Sequence, residues 1–124
     1  MQLDHVSLFV RDVARSRTFY EALLPGEGLA LNRDFGQLAV GFGDKDYAVL
    51  ALIRQEGPIQ ATHLAFRLES RSKVRELYER AIRAGGVDNG PPGERPQYTA
   101  HYYAAFIRDP DGHNLEFVCH RELS

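Results

Sequence analysis

The sequence predicts an α+β fold of two tandem βαβββ modules, whose strands form a cup-shaped mixed sheet with the helices outside. The first observation behind this prediction is an internal duplication. Four residues between positions 5 and 24 recur 58 positions later, whereas about one recurrence is expected from ordinary residue usage. The second is that each copy passes from strand-like alternation to helical spacing and back to alternation. The identical pairs are His5/His63, Arg17/Arg75, Tyr20/Tyr78 and Glu21/Glu79.

Length and composition are those of an ordinary globular protein. The 124 residues are 44% hydrophobic and 26% charged, and a chain of this size buries about two-thirds of its unfolded surface. We therefore expect one domain over residues 1–124, with modules at residues 3–53 and 61–120. The formal net charge of −2 provides no basic surface for nucleic acid.

The apolar residues are too dispersed for a membrane span, and the first residues do not have the pattern of a signal peptide. The single cysteine, Cys119, excludes an internal disulfide and fits a reducing compartment. We expect Cys119 to be a small buried apolar residue and the protein to be cytoplasmic.

The first module begins with an alternating strand at Leu3–Val10. Asp12 is a suitable N-cap, and the apolar spacing over Val13–Leu24 predicts a helix that Pro25-Gly26 ends. The strands expected after this helix are Leu29–Arg33, Gln37–Phe42 and Tyr47–Ile53, with a turn at Gly43–Asp46 between the last two.

The second module follows Arg54–Gln60, the natural linker, and repeats the same order. A strand at Thr62–Leu68 leads to the N-cap Ser70 and to a helix with inward residues from Val74 to Ile82. Gly85-Gly86 ends the helix, and the breaker-rich segment Gly90–Pro96 predicts an irregular loop. Two strands, Tyr102–Arg108 and His113–His120, then flank the turn Asp109–Gly112 and match the first hairpin at an offset of 65.

Successive side chains of a strand point to opposite faces of its sheet. This alternation can be applied to the predicted strands that contain His5, His63 and Glu116. In each strand one set of alternate residues is uniformly apolar, as expected for the face that packs against a helix. His5, His63 and Glu116 fall in the other set. Two imidazoles and a carboxylate suit Fe(II), Mn(II), Zn(II) or Ni(II) and leave coordination positions open. The competing interpretation is that His5, His63 and Glu116 are ordinary strand residues without a metal. The other two histidines, His113 and His120, are expected to be turn or surface residues.

Three segments resemble the vicinal oxygen chelate superfamily, which contains glyoxalases, ring-cleaving dioxygenases, and fosfomycin- and bleomycin-resistance proteins. The resemblance covers essentially the whole chain. It implies a glyoxalase-like fold, a divalent metal held by His5, His63 and Glu116, and a homodimer. The metal site is either within one chain or shared between two subunits. The segments are Asp4–Val6 leading to Arg17–Tyr20, then Thr62–Phe66, then Phe106–Glu116.

Ala51 departs from part of this superfamily. Lactoylglutathione lyases carry a fourth metal ligand, a glutamate, on the last strand of the first module. The offset of 65 between the two hairpins places Ala51 at that position. A methyl side chain cannot bind metal or accept a proton, so lactoylglutathione lyase activity itself is not expected.

The resemblance implies an enzyme that chelates two neighbouring oxygens of a small molecule. It implies a glyoxalase-like lyase or isomerase, or an extradiol-type dioxygenase; thiol transfer ranks lowest because few phosphate-binding residues lie near the second loop. The alternative is a non-catalytic protein that binds a drug or metabolite, of the bleomycin-resistance type. Candidate catalytic residues are Glu116, His101 and Tyr103, and candidate substrate-binding residues are Arg67, Tyr98, Tyr102 and Phe9.

Overall fold

The computed structural model describes residues 1–122, and contacts within the chain divide it into two compact units. Unit 1 comprises residues 1–60, and unit 2 begins at Ala61. The boundary coincides with the end of the predicted linker. Among the described residues, no helix has the length and apolar character that crossing a bilayer requires.

Unit 1 has the predicted βαβββ order. Its sheet is ordered β1-β4-β3-β2, with β1 parallel to β4 and the other neighbours antiparallel. The helix packs against β3 and β4. The elements are β1 (Val6–Val10), α1 (Val13–Glu21), a short 3₁₀ turn (Pro25–Glu27), β2 (Ala30–Asp34), β3 (Ala39–Asp44) and β4 (Tyr47–Arg54).

Unit 2 repeats this topology. Its sheet is ordered β5-β8-β7-β6, with β5 parallel to β8 and the other neighbours antiparallel. The α+β class and the duplicated module are therefore confirmed in each unit. The elements are β5 (His63–Arg67), α2 (Arg71–Arg83), β6 (Val87–Glu94), β7 (Tyr103–Arg108) and β8 (Asn114–Cys119).

Both predicted N-caps are confirmed. The Asp12 carboxylate accepts a hydrogen bond from the Arg15 amide at 3.2 Å, and the Ser70 hydroxyl accepts one from the Lys73 amide at 3.2 Å. Each bond satisfies one of the amides that a helix start leaves without a partner. At the other end of α2, Gly85 has a φ of 104°, a backbone conformation that favours glycine and ends the helix.

The segment from Gly90 to Glu94 is part of strand β6, so the predicted irregular loop was wrong there. β6 lies at the edge of its sheet and pairs only with β7, and an edge strand tolerates prolines because one side of its backbone needs no partner. The pairing register shifts on both sides of Gly90. These bulges accommodate the breakers, and the sequence pattern alone did not distinguish a bulged edge strand from a loop.

Burial follows the predicted alternation in β1 and β5, whereas residues 115–119 of β8 are all buried. In β1, Leu8 and Val10 are buried whereas Ser7 and Phe9 are exposed. The buried set of each sheet packs with its own helix. In unit 2 the helix contributes Val74, Leu77 and Ala81, and β8 contributes Leu115, Phe117 and Cys119. The face of each sheet opposite its helix is hereafter called the helix-free face.

Candidate functional site

Glu116 is a buried carboxylate at the centre of the helix-free face of unit 2. Its residue exposure is 2%. β8 lies between β5 and β7, and the strand register places Ala65 beside Glu116 on one side and Phe106 on the other. Because partners in register point to the same face, the small Ala65 leaves space next to the carboxylate while the Phe106 ring forms an apolar wall.

Both oxygens of Glu116 take part in hydrogen bonds. The Nε2 atom of His63 lies 2.8 Å from Oε1, and the Tyr102 hydroxyl donates to Oε2. A buried charge is costly unless it is paired and hydrogen-bonded, and these two donors supply that compensation. His63 remains 54% exposed at its side chain, so the pair has one member in the interior and one accessible from solvent.

Tyr102 holds its proton firmly in this environment. Burial, followed by the hydrogen bond to Glu116, raises the pKa of Tyr102 to about 12. Its ring meets the rings of Tyr98 and His120 edge-on, at centroid distances of 5.0 and 5.1 Å. At neutral pH Tyr102 is therefore a hydrogen-bond donor to Glu116, oriented by two aromatic neighbours.

Arg95 and His120 are two residues of this region that the sequence analysis did not select. The Cζ atom of Arg95 lies 5.5 Å from the centroid of the Phe106 ring, which is itself 6.3 Å from the His63 ring. The sequence signal for Arg95 was its place at the start of the segment that contains Tyr98, His101 and Tyr102. No signal marked His120, which is exposed as expected but contacts Tyr102.

His5 lies in unit 1, immediately before β1, and is exposed. Its Nδ1 atom is 2.6 Å from the Oδ1 atom of Asp4; because a carboxylate only accepts, Nδ1 is the donor. Tyr47 and then His5 lower the pKa of Asp4, which keeps it ionised. This arrangement directs the Nε2 lone pair of neutral His5 away from Asp4, as in metal-binding histidines with a carboxylate partner.

Ala51 occupies in unit 1 the place that Glu116 occupies in unit 2. It pairs with Ser7 on β1 and Gly41 on β3, as Glu116 pairs with Ala65 on β5 and Phe106 on β7. The register thus confirms the correspondence inferred from the offset of 65. Unit 1 contributes a methyl group where unit 2 contributes a carboxylate.

The structure does not bring Tyr103 to Glu116. Tyr103 pairs with Cys119 and therefore faces α2, where its ring contacts the guanidinium groups of Arg71 and Arg75 at 5.0 and 5.8 Å. Glu116 lies on the other face of the same sheet. Tyr103 consequently has a packing role against the helix.

The remaining candidates are all exposed. His101 lies in the turn region before β7 with a φ of 66°. Arg67 is on the helix-free face of unit 2, opposite Val118, and Tyr98 is beside Tyr102. Phe9 lies in unit 1 on the same face of β1 as Ser7 and is 45% exposed.

His113 is 1% exposed, so the expectation of a surface position was wrong, although it does follow the Asp109–Gly112 turn. Its Nδ1 atom accepts a hydrogen bond from the amide of Thr62 at 2.9 Å. This contact fixes the residue next to His63 and thereby the start of β5. A histidine after a turn can thus be a structural anchor, which the sequence pattern did not indicate.

His63 and Glu116 supply donor atoms of the kind that bind divalent metals. Within the described part of either unit, no group of three histidine, cysteine or acidic side chains is arranged to hold an ion. The Nε2 atom of His63 and the Oε1 atom of Glu116 lie 2.8 Å apart, a hydrogen-bond distance that is somewhat shorter than the roughly 3.0 to 3.4 Å between neighbouring ligands whose metal bonds are about 2.1 Å. A mixed nitrogen and oxygen donor set suits the metals predicted from the sequence.

Several solved structures are similar to this chain along nearly its whole length. A hypothetical protein, SA1046, from S. aureus is 26% identical with a TM-score of 0.71, covering 96% of this chain and 97% of its own. A glyoxalase/bleomycin resistance protein from Albidiferax ferrireducens T118 is 24% identical with a TM-score of 0.80, and the match covers 94% of this chain and 97% of that protein. A lactoylglutathione lyase from Agrobacterium tumefaciens is 18% identical with a TM-score of 0.72, and the match covers 95% of this chain and 92% of that protein. At these low identities, the last two structures show only that the fold is shared.

Among curated proteins, none matches the sequence significantly. The family model described as the Glyoxalase/Bleomycin resistance protein/Dioxygenase superfamily matches residues 2–117, which is almost the whole of the chain and includes His63, Tyr102 and Glu116. The chain therefore belongs to the glyoxalase/bleomycin resistance protein/dioxygenase superfamily.

Proposed function

We propose that this protein is a divalent-metal-dependent enzyme that acts on a small molecule with two neighbouring oxygen atoms. The single observation that carries the proposal is the buried Glu116 carboxylate, bonded to His63 and Tyr102 on the helix-free face of unit 2. A carboxylate of purely structural value is rarely kept in a sheet centre, because its burial is costly. A functional site is where such a cost is commonly tolerated.

His63 and Glu116 are the two proposed ligands of unit 2, and His5 is the third. His5 would come from the same chain or from a second copy in a homodimer. For His63 to act as a ligand, Nε2 has to give up the proton that it now directs at Glu116, so metal uptake releases a proton or shifts it to Nδ1. When bound, the metal supplies a Lewis acid that stabilises negative charge developing on substrate oxygens.

The side chains around Glu116 would position the substrate and hold a proton next to it. Tyr102 holds a proton at its hydroxyl, donated to Oε2 of Glu116, and its oxygen can accept a hydrogen bond from a substrate hydroxyl beside that carboxylate. The Phe106 ring lies 6.3 Å from the His63 ring, and the Tyr98 ring lies 5.0 Å from the Tyr102 ring. An apolar surround strengthens the electrostatic interactions made inside it.

Ala51 bears on the reaction class. Proton transfer by a metal-bound carboxylate from the first module is not available to this chain, because Ala51 stands at that position. We therefore propose either an extradiol-type ring cleavage or a lyase or isomerase reaction that uses another base, with His101 the exposed candidate from the loop before β7.

A substrate screen tests the proposal. Purified protein loaded separately with Fe(II), Mn(II), Zn(II) or Ni(II) is assayed with catechols and with 2-oxo- and 2-hydroxycarbonyl compounds, with and without oxygen. Oxygen consumption with catechols indicates dioxygenase chemistry, whereas turnover without oxygen indicates lyase or isomerase chemistry. Glu116→Ala should abolish either activity, and the matched control Glu69→Ala, at a residue with an 86% exposed side chain, should retain it.

Two outcomes would contradict the proposal. One is metal-independent turnover, and the other is ligand binding that Glu116→Ala leaves unchanged with no metal bound. The second result would indicate a binding protein of the bleomycin-resistance type instead.

A further inference from the structure

We propose that Arg95 binds an anionic group of the substrate, so that the ligands of this site are small organic oxyanions carrying a carboxylate or a phosphonate. This inference rests on the proposed function, since it concerns the same face of unit 2, and it names the substrate class that the function leaves open.

Arg95 lies beside the candidate site through both its backbone and its side chain. It directly follows β6, and its amide donates to the carbonyl of Tyr102 at 2.7 Å. Its guanidinium lies over Phe106 with Cζ 5.5 Å from the ring centroid. Phe106 is in turn the register partner of Glu116. The Phe106 ring therefore links the two groups: the Arg95 guanidinium lies over it, and Glu116 is its neighbour on the adjacent strand.

The bulged strand β6 forms a notch for this guanidinium. A Cβ atom at Gly93 would lie 3.0 Å from Nη1 of Arg95, and one at Gly90 would lie 3.4 Å from Nη2 and 3.0 Å from the Phe106 ring. Glycine at both positions leaves room for the planar group to lie against the strand. The carbonyl of Pro91 accepts a hydrogen bond from Nη2 at 2.8 Å and fixes its orientation.

The charge of Arg95 is not neutralised by an acid in the described residues 1–122. Its side chain donates to the carbonyls of Pro91, at 2.8 Å, and Glu94, at 3.4 Å, which are neutral acceptors. A guanidinium has further N–H groups in a planar fork that matches the geometry of carboxylate and phosphonate oxygens. A guanidinium that is held in place and has no acidic partner is suited to bind an anionic group.

A matched pair of ligands tests this inference. The neutral 4-methylcatechol and the anionic 3,4-dihydroxybenzoate share the same two neighbouring oxygens, and 3,4-dihydroxyphenylphosphonate distinguishes a phosphonate from a carboxylate. Dissociation constants are measured by calorimetry on the full chain. We expect the wild type to prefer an anionic member, and Arg95→Gln to weaken that member about 10- to 100-fold while changing the neutral ligand less than about twofold.

Two further variants separate binding from folding. Gly93→Ala would place a Cβ atom 3.0 Å from Nη1 of Arg95, so it should shift the guanidinium slightly and give a smaller selective loss than Arg95→Gln without removing the charge. Arg83→Gln, at an exposed residue at the end of α2, should leave both ligands unaffected. Equal affinity for the neutral and anionic ligands in the wild type, no binding of either, or an equal loss of both in Arg95→Gln would overturn the inference.

The outcomes also distinguish this inference from the proposed function. If no metal is bound but the anion preference is still lost in Arg95→Gln, the metal-dependent function fails and the role of Arg95 stands. If metal is bound and Glu116→Ala abolishes activity while Arg95→Gln keeps the preference, the function stands and the role of Arg95 is wrong.

Discussion

His63 and Glu116 face each other across neighbouring parallel strands, with Nε2 of His63 2.8 Å from Oε1 of Glu116. They are two register positions apart, since His63 pairs with Asn114 and Ala65 pairs with Glu116. Because the side chain of Ala65 is small, the His63 imidazole has space to reach the Glu116 carboxylate. The result is a buried acid held by one accessible histidine and one tyrosine, which is the structural basis of the predictions that follow.

Tyr102→Phe should lower the free energy of unfolding by about 1–3 kcal/mol, because it leaves Oε2 of the buried Glu116 without its donor. The measurement is urea unfolding of the metal-free protein. Tyr98→Phe is the matched control, since Tyr98 is 58% exposed. A Tyr102→Phe loss no larger than that of the control would show that the hydrogen bond contributes nothing to stability.

The raised pKa of Tyr102 predicts a loss of stability in alkali. The folded value of about 12 exceeds the unfolded value of about 10, so the stabilisation is fully present below pH 10 and is lost as pH rises towards 12. Burial raises the pKa of Tyr78, and the hydrogen bond with Asp4 raises that of Tyr47, so Tyr102→Phe should remove only part of this decline. Unfolding free energies measured between pH 9 and pH 12 that decline equally in wild type and variant would refute the assignment.

Asp4→Asn should weaken metal binding about 10- to 100-fold, because the Asp4 carboxylate orients His5 through Nδ1. Competition with a chelator gives the affinity. The free energy of unfolding should change little, since both side chains are more than half exposed. Asp44→Asn, at the exposed last residue of β3, is the control; equal affinities in the two variants would show that Asp4 does not orient a metal ligand.

Gly43→Ala should be more destabilising than Gly41→Ala. A Cβ atom at Gly43 would overlap the backbone oxygen of Tyr47, whereas one at Gly41 would lie 2.9 Å from the Cβ atom of Ala48. The first clash requires the β3–β4 backbone to move, at a cost of about 1–3 kcal/mol or more. Thermal unfolding of the two variants compares them, and equal midpoints would contradict the register shift observed at Gly43.

The elements with strong local signals were predictable. Asp12 and Ser70 cap their helices as expected, and the parity of β1, β5 and β8 follows the apolar pattern. Strand β6 was missed because glycine and proline are read as breakers, whereas tolerance of them depends on the position of a strand in its sheet. That position is set by pairing over long distances, which no local pattern encodes.

The candidate site was predictable in its residue types and only partly in its contacts. The repeat located His63, Glu116 and Ala51, because duplicated strands keep their register. It did not indicate that Tyr102 would bond Glu116 while its neighbour Tyr103 faces α2, or that His113 would be buried. Adjacent residues of a strand point to opposite faces, so the register of β7, in which Tyr103 pairs with Cys119, decided between the two tyrosines.

Metal content tests the central claim most directly. Wild type, Glu116→Ala and Glu69→Ala proteins are saturated with each candidate divalent metal, freed of excess ion and analysed for bound metal. The account predicts about one equivalent per chain of a preferred metal in the wild type and in Glu69→Ala, and none in Glu116→Ala. Wild-type protein that retains no metal, or Glu116→Ala protein that retains a full equivalent, would contradict it.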